Sequence, residues 1–505
     1  MERLTPPVGD AWSARQFNFQ NTDAYRSEYL NLRESCKWSP PVPLINFTVA
    51  QPRATYPFGG AWRTRWRGGT VYDGECSRRT WSLPVQTCRI GPLEDASGDL
   101  VETTITRIGP VHVKPPTGTH SSPVDGWYCF WTVPMRPRIA DMGRTAYLVD
   151  TIDHYFAPTT GAHIDFPPLH PHHSSSVLVA EPGAISPRLA DFTVLPVYTT
   201  TQFAAGSFVS SMNTPGFNVD HLGCEEEEAA VRHGGVRSDP SACFYVRLPP
   251  HRGYPLFPRT DMWTTAILEA PVQSLPPVDT MLEFGRKYVL PRRTTGPWTP
   301  VYHLDFSVSG SGRTYVPAAS VPASHTTESL AFHTFTMPTS GRFVASWFHT
   351  HGAAPSEMWV LDRPVKDLLP MAVLSECVRR KRCRREGNTF GTFGMMRSFE
   401  KSWNSDVPLT PLGLSISKVQ ALVRQRAGPT GLRCAYHSRN QLVDGKLFAR
   451  QAMRLKASAS SCDGWAFRAG QEISLLAFNH RTNLSMVDQH QRWFPAAELD
   501  GVFAA

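Results

Sequence analysis

No run of about 18 apolar residues occurs in the chain, so no hydrophobic membrane span is expected. Its 10 cysteines include no CxxC pair, which excludes zinc-ribbon spacing and favours disulfides formed in an oxidising compartment. There is no internal repeat and no low-complexity tract, and residues 56–271 contain nothing that reads as a long amphipathic helix. The opening MERLTPPVGDAWSARQ lacks the apolar core of a signal peptide, so either the true start lies upstream or export follows another route. With these absences the expectation is a secreted or secretory-pathway protein. The sequons at Asn46 and Asn483 are compatible with that.

Proline and glycine are abundant, at 44 and 36 of 505 residues, and they cut the chain into short alternating runs. Such punctuation predicts a mainly β protein, built as two antiparallel jelly-roll-like sandwiches with few short helices. A chain this long exceeds one ordinary core. Residues 1–55 read as an N-terminal extension with little core of its own. Residues 56–270 read as a first sandwich, 271–300 as a Pro-rich connection and 301–500 as a second sandwich. Strands are expected over Thr103–Ile108, Val111–Val113, Trp127–Val133, Val177–Ala180 and Phe192–Tyr198, and again over Leu330–Met337, Leu432–Tyr436 and Glu472–Phe478. A helix is expected over Ser417–Ala427, closed by Gly428-Pro429. The net charge of +8 is scattered, which reads as solubility and not as nucleic-acid binding. The run Arg379–Arg385, with no interleaved aromatics, reads as a solvated helix end or loop.

Two histidine clusters carry the chemistry. RFVASWFHTHG, Arg342–Gly352, alternates as a strand and sets His349 and His351 on one face, together with Phe343, Ala345 and Trp347. Side chains two apart on a strand start about 7 Å apart, a span that lets two imidazoles converge on one ion. Met337, Met358, Met371 and Met453 are candidates for a softer third ligand, and a His₂Met set favours copper. The second cluster is His170-Pro171-His172-His173, with His221 or His233 as a further nitrogen donor downstream. On a regular strand His172 and His173 would point to opposite faces, so both can bind one ion only at a bend or bulge. An acid beside the cluster, Asp165, leaves a zinc hydrolase as another reading.

These motifs resemble, in order and type, the copper type II ascorbate-dependent monooxygenases, the family of the peptidylglycine α-hydroxylating and dopamine β-monooxygenases. The resemblance covers about residues 150–480. It implies two jelly-roll sandwiches and two copper ions, one on His172, His173 and His221 (His170 or His233 as alternates). The other copper would sit on His349, His351 and Met453, with Met337 or Met358 as alternates. In this likeness the second copper binds O₂ and abstracts hydrogen from a small-molecule or peptide substrate, the first delivers an electron, and an ascorbate-like reductant refills both. Met453 follows Cys434 by 19 residues, near the family's spacing. Arg454 stands where the family has a cysteine, and HPHH replaces its HHM. A non-catalytic two-sandwich protein with a structural metal is the alternative.

Overall fold

The computed structural model describes residues 31–43, 83–113, 127–134, 137–161, 164, 169–180, 207–214, 245–256, 260–269, 276–292, 297–303, 306–307, 327–337, 339–350, 356–380, 383–386, 389–392, 407–443, 446–455, 462, 464–481 and 491–500. Most described residues are in strands, as the turn punctuation predicts, and a few short helices accompany them. Contacts between residues divide the described residues into two units between Tyr302 and His303, inside a short strand assigned below to the second unit.

The first unit carries β1 (Val42–Pro43), β2 (Pro84–Glu94), β3 (Leu100–Val113), β4 (Trp127–Pro134), β5 (Ala146–Phe156), β6 (His170–Ala180), β7 (Ser207–Thr214), β8 (Tyr245–Arg247), β9 (Arg252–Leu256), β10 (Thr260–Glu269), β11 (Val278–Leu290) and β12 (Thr299–Pro300). An eight-stranded sheet runs β1-β2-β3-β11-β5-β9-β12, with β8 also on β5, and a four-stranded sheet runs β4-β10-β6-β7. The runs 103–108 and 111–113 are one strand, β3. Its register with β11 shifts at Gly109-Pro110, where Gly109 takes φ +123°, a conformation that glycine tolerates and other residues resist.

Two domain assignments need correction. The stretch 271–300, expected as a connection, contains β11, thirteen residues at the centre of the larger sheet, paired with β3 on one side and β5 on the other. Its prolines mark the ends of a strand and not a linker. Within the expected extension 1–55, the described part is held on the same sheet. Cys36 is disulfide-bonded to Cys88 on β2, and Cys36, Trp38 and Ile90 pack against Cys88 and Ile105. Ser39 N donates to Thr87 O at 2.9 Å, and Thr87 N donates back to Ser39 Oγ at 3.0 Å. The disulfide spans 52 positions, so its removal from the unfolded chain's constraints is worth about 4 kcal/mol by loop entropy. We expect C36S/C88S to lower the urea-derived unfolding free energy by about 3–4 kcal/mol. An unchanged midpoint would mean that the Ser39 ladder and side-chain contacts hold this strap unaided.

The second unit carries β13 (Tyr302–His303), β14 (Phe306–Ser307), β15 (Thr327–Thr336), β16 (Gly341–Thr350), β17 (Ser356–Leu361), β18 (Cys383–Glu386), β19 (Thr389–Thr392), β20 (Val407–Pro408), β21 (Leu432–Val443), β22 (Lys446–Leu455), β23 (Ala466–Phe467), β24 (Glu472–Arg481) and β25 (Gln491–Leu499). Its sheets run β13-β25-β16-β23, with β14 on β25, and β20-β15-β24-β17-β21-β22, while β18 and β19 form a separate hairpin. Helices α1 (Val365–Leu368), α2 (Met371–Arg379) and α3 (Ile416–Ala427) lie against one face of the six-stranded sheet. The α3 positions Ile416, Val419, Val423 and Ala427 recur at helical spacing, and all are buried in that layer with Trp359, Leu476 and Phe478. Ser415 caps α3 by accepting from Lys418 N, and Gly428 follows its end. The opposite face meets the five-stranded sheet through rings. Phe335 contacts Phe306 at 4.8 Å, Phe306 stacks on Trp493 at 5.4 Å, and Trp493 meets Phe343 at 4.9 Å.

Candidate metal centres

The HPHH cluster opens β6. Opposite it on β10, Glu269 pairs with His170, Leu268 with Pro171 and Ile267 with His173, so the register skips His172. His172 is thus the extra residue of a β-bulge. Strict alternation would separate His172 from His173, and a bulge removes that alternation locally. His221, His233 and Asp165 lie outside the described residues, so the third ligand of this set stays a sequence expectation.

For the second cluster the register is less favourable. His349 is the last residue but one of β16, opposite Arg492, and His351 lies outside the described residues. A register shift leaves Val344 as an extra residue between the pairs Phe343–Ala497 and Ala345–Ala496. The two-residue period expected to unite Phe343 with His349 is broken there. The row of Phe343 and the buried Trp493 continues through Ser346 and Phe348, while His349 falls in the alternate row with Ala345 and Trp347. That correction follows from the bulge alone, because one inserted residue inverts every later position.

Met453 sits on the edge strand β22, opposite His437, which pairs with Glu357, which pairs with Phe478. Phe478 belongs to the helix-covered face, and Glu357 accepts from Gln420 of α3 at 2.9 Å. The adjacent row, Arg454–Tyr436–Met358–Ala477–Ala331, is the one that looks toward the five-stranded sheet. Met358 and Met337, the alternates, are buried at 0% and 1% exposure, whereas Met371 is exposed at 68%. The strands β16 and β22 do approach one another. Register nonetheless assigns His349 and Met453 to rows that do not share the interior between the two sheets. Among the residues whose side chains are described, no group of three His, Cys, Asp or Glu is placed to hold an ion.

Two polar features inside the fold were not singled out by sequence. His333 on β15 is 3% exposed, in the row of Leu475, Val360 and Cys434, with its ring 4.1 Å from that of Phe335. Burial pushes its imidazole down to about 3. The signal was present: in ALA-like alternation Ala331, His333, Phe335 the histidine occupies an apolar phase, the same test that selected His349. In the first unit Glu283 is fully buried and clamped by two guanidiniums. Arg107 approaches Oε2 through Nε and Nη2, both at 2.7 Å, and Arg33 Nε lies 2.6 Å from Oε1. Arg107 stacks over Trp38 at 3.9 Å and Arg33 over Phe156 at 4.8 Å. This cluster holds the 31–43 strap on one face of the eight-stranded sheet. Arg107 and Glu283 face each other in register on β3 and β11.

No protein-family model matches the chain, and no curated protein is significantly similar to it.

Proposed function

We propose that this is a non-catalytic binding or structural protein of two jelly-roll-like β-sandwich units, stabilised by disulfides for an oxidising compartment, with a single structural metal site at the β6 bulge. The observation that carries this reading is the register of the second unit. His349 falls in the register row alternate to Phe343, and Met453 in the row of Glu357 and not that of Met358, which counts against the softer redox site of the resembled oxygenases. The bulge at His172 supports a nitrogen-ligand site in the first unit, where His172, His173 and a third donor would hold zinc or copper without redox demand. The disulfides Cys36–Cys88 and Cys434–Cys462 support the compartment. No helix among the described residues is long and apolar enough to cross a membrane.

The approach of β16 to β22 favours a second reading, a two-copper monooxygenase with an ascorbate-like reductant and a small-molecule or peptide substrate. Metal analysis after copper or zinc reconstitution separates the two. The structural reading expects about one equivalent, lost in H172A/H173A, kept in H349A/H351A, and no ascorbate-driven oxygen consumption. Two equivalents, one of them lost in H349A/H351A, would overturn it in favour of the oxygenase. No bound metal in the wild type would remove the metal from both.

A further inference from the structure

Independently of the metal question, we propose that the strap, residues 31–43, is a redox-latched lid. It comes away from the eight-stranded sheet when the Cys36–Cys88 disulfide is reduced, while the sheet beneath stays folded. Strap and sheet differ in how deeply they are set. None of residues 31–41 is buried, whereas the groups that the strap touches are: Cys88 at 1% exposure, Ile105 and Glu283 at 0% and Phe156 at 5%. A segment with little buried surface opens at lower free energy than the core strands under it, and it does so without global unfolding.

Besides the disulfide, the described contacts of the strap with the sheet are few and of separate kinds. Ser39 and Thr87 exchange hydrogen bonds, Gln86 Nε2 donates to Ser39 O at 3.3 Å, and Val42 and Pro43 pair with Val85 and Pro84. Arg33 reaches Glu283 and the ring of Phe156, and Trp38 lies against Arg107. The disulfide makes these contacts nearly simultaneous, because Arg33, Trp38 and Ser39 all lie within three residues of Cys36 and are held at high effective concentration. With the bond open, the strap joins the sheet only through the chain from Pro43 to Pro84, 41 positions long (84 − 43). Each contact must then be made across that loop, at a greater entropic cost.

The latch is open to chemistry where the other described disulfide is not. Cys36 is half-exposed, whereas Cys434 and Cys462 are both buried, at 4% and 0%. Exchange needs a thiolate to reach one sulfur, and in this pair the accessible partner is Cys36, since Cys88 is buried. A dithiol reductant forms a mixed disulfide on Cys36 and displaces the Cys88 thiolate. Its second thiol then displaces the Cys36 thiolate and closes the reductant's own disulfide. Two electrons and two protons pass from the dithiol to the two cysteines. Opening lifts Arg33 from Glu283 and Trp38 from Arg107, and it bares Ile105 and the Thr87 amide on β2.

The test is hydrogen exchange read by mass spectrometry on the full chain, oxidised and after dithiothreitol without denaturant, with alkylation of aliquots to show which cysteines are reduced. Cys36 and Cys88 should be alkylated before Cys434 and Cys462. The amides of Ser39 and Thr87, bonded across the strap contact, should then exchange at least about tenfold faster, while β3 and β11 keep their protection. Reoxidation should restore the slow rates. C36S/C88S, without reductant, should reproduce the open pattern and so separate this bond from every other disulfide; if that variant does not fold, reduced wild type carries the test. Unchanged exchange at Ser39 and Thr87 with both cysteines reduced, loss of protection in β3 and β11 together with the strap, or a Cys36–Cys88 bond that resists the reductant in the folded chain would each overturn the proposal.

Discussion

Arg107→Met should lower the unfolding free energy by about 3–5 kcal/mol, the range for removing one partner of a buried ion pair. The size follows from what is left behind. Glu283 has no exposed surface, and Arg107 approaches its carboxylate through two nitrogens, both at 2.7 Å. Without them a buried anion loses its bidentate guanidinium partner, and Arg33 on the other oxygen is itself tethered from the 31–43 strap. The same substitution lifts a guanidinium from the face of Trp38, which removes a further part of what keeps the strap on the sheet. The effect should be local in origin and global in consequence, since the strap covers the sheet at its centre, where β3 and β11 pair. Removing the charge together with its partner is the decisive control. R107M/E283L replaces both groups with apolar ones of similar volume and should recover most of the lost stability. Urea denaturation of the two variants measures the difference. A double variant as unstable as R107M would show that packing against Trp38, and not the stranded carboxylate, sets the cost.

The contrast between this cluster and the histidine motifs shows what the sequence exposes and what it conceals. Strand content was legible because glycine and proline bracket short alternating runs, and the expected segments at 127–133, 330–337, 432–436 and 472–478 lie on β4, β15, β21 and β24. The α3 helix was legible from its spacing and Gly428 stop, although the capping serine is Ser415 and the helix starts one residue before Ser417. The run 192–198 lies outside the described residues. What alternation cannot reveal is a single inserted residue. Val344 inverts the face of His349, and His172 relaxes the face constraint on His173, yet both are read from a partner strand whose pairing no local pattern specifies. For the same reason β11 was mistaken for a linker. Its prolines are visible in the sequence, whereas its neighbours β3 and β5 lie more than a hundred residues upstream. Glu283 and Arg107, 176 positions apart, form a pair only once that register is known.

Stability should fall by on the order of 5 kcal/mol as the pH drops from 6.5 to 3, with His333 as the main contributor from the second unit's interior. The imidazole is 3% exposed among Leu475, Val360 and the ring of Phe335, and its folded value of about 3 lies below the ordinary 6.5 because burial opposes the charged form. A depressed histidine means that the unfolded chain takes up the proton first. The neutral-ring stability is therefore complete above about 6.5, declines by about 1.4 kcal/mol per pH unit below it, and is exhausted near 3. Carboxylates titrate mainly in the lower part of this window, so the slope between pH 6.5 and 5 isolates histidine behaviour. His333→Leu should flatten that slope by nearly one proton's worth while leaving stability at pH 8 within about 1–2 kcal/mol of wild type, since a leucine fills similar volume beside Leu475. Denaturant titrations at pH 8, 6.5, 5.5 and 5 for both proteins provide the comparison. If wild type and variant lose stability in parallel, the proton is taken up elsewhere and His333 is buried without cost. If the slopes diverge as expected, His333, set in the row that joins β15, β24, β17 and β21, is the group whose neutral form the folded second unit requires.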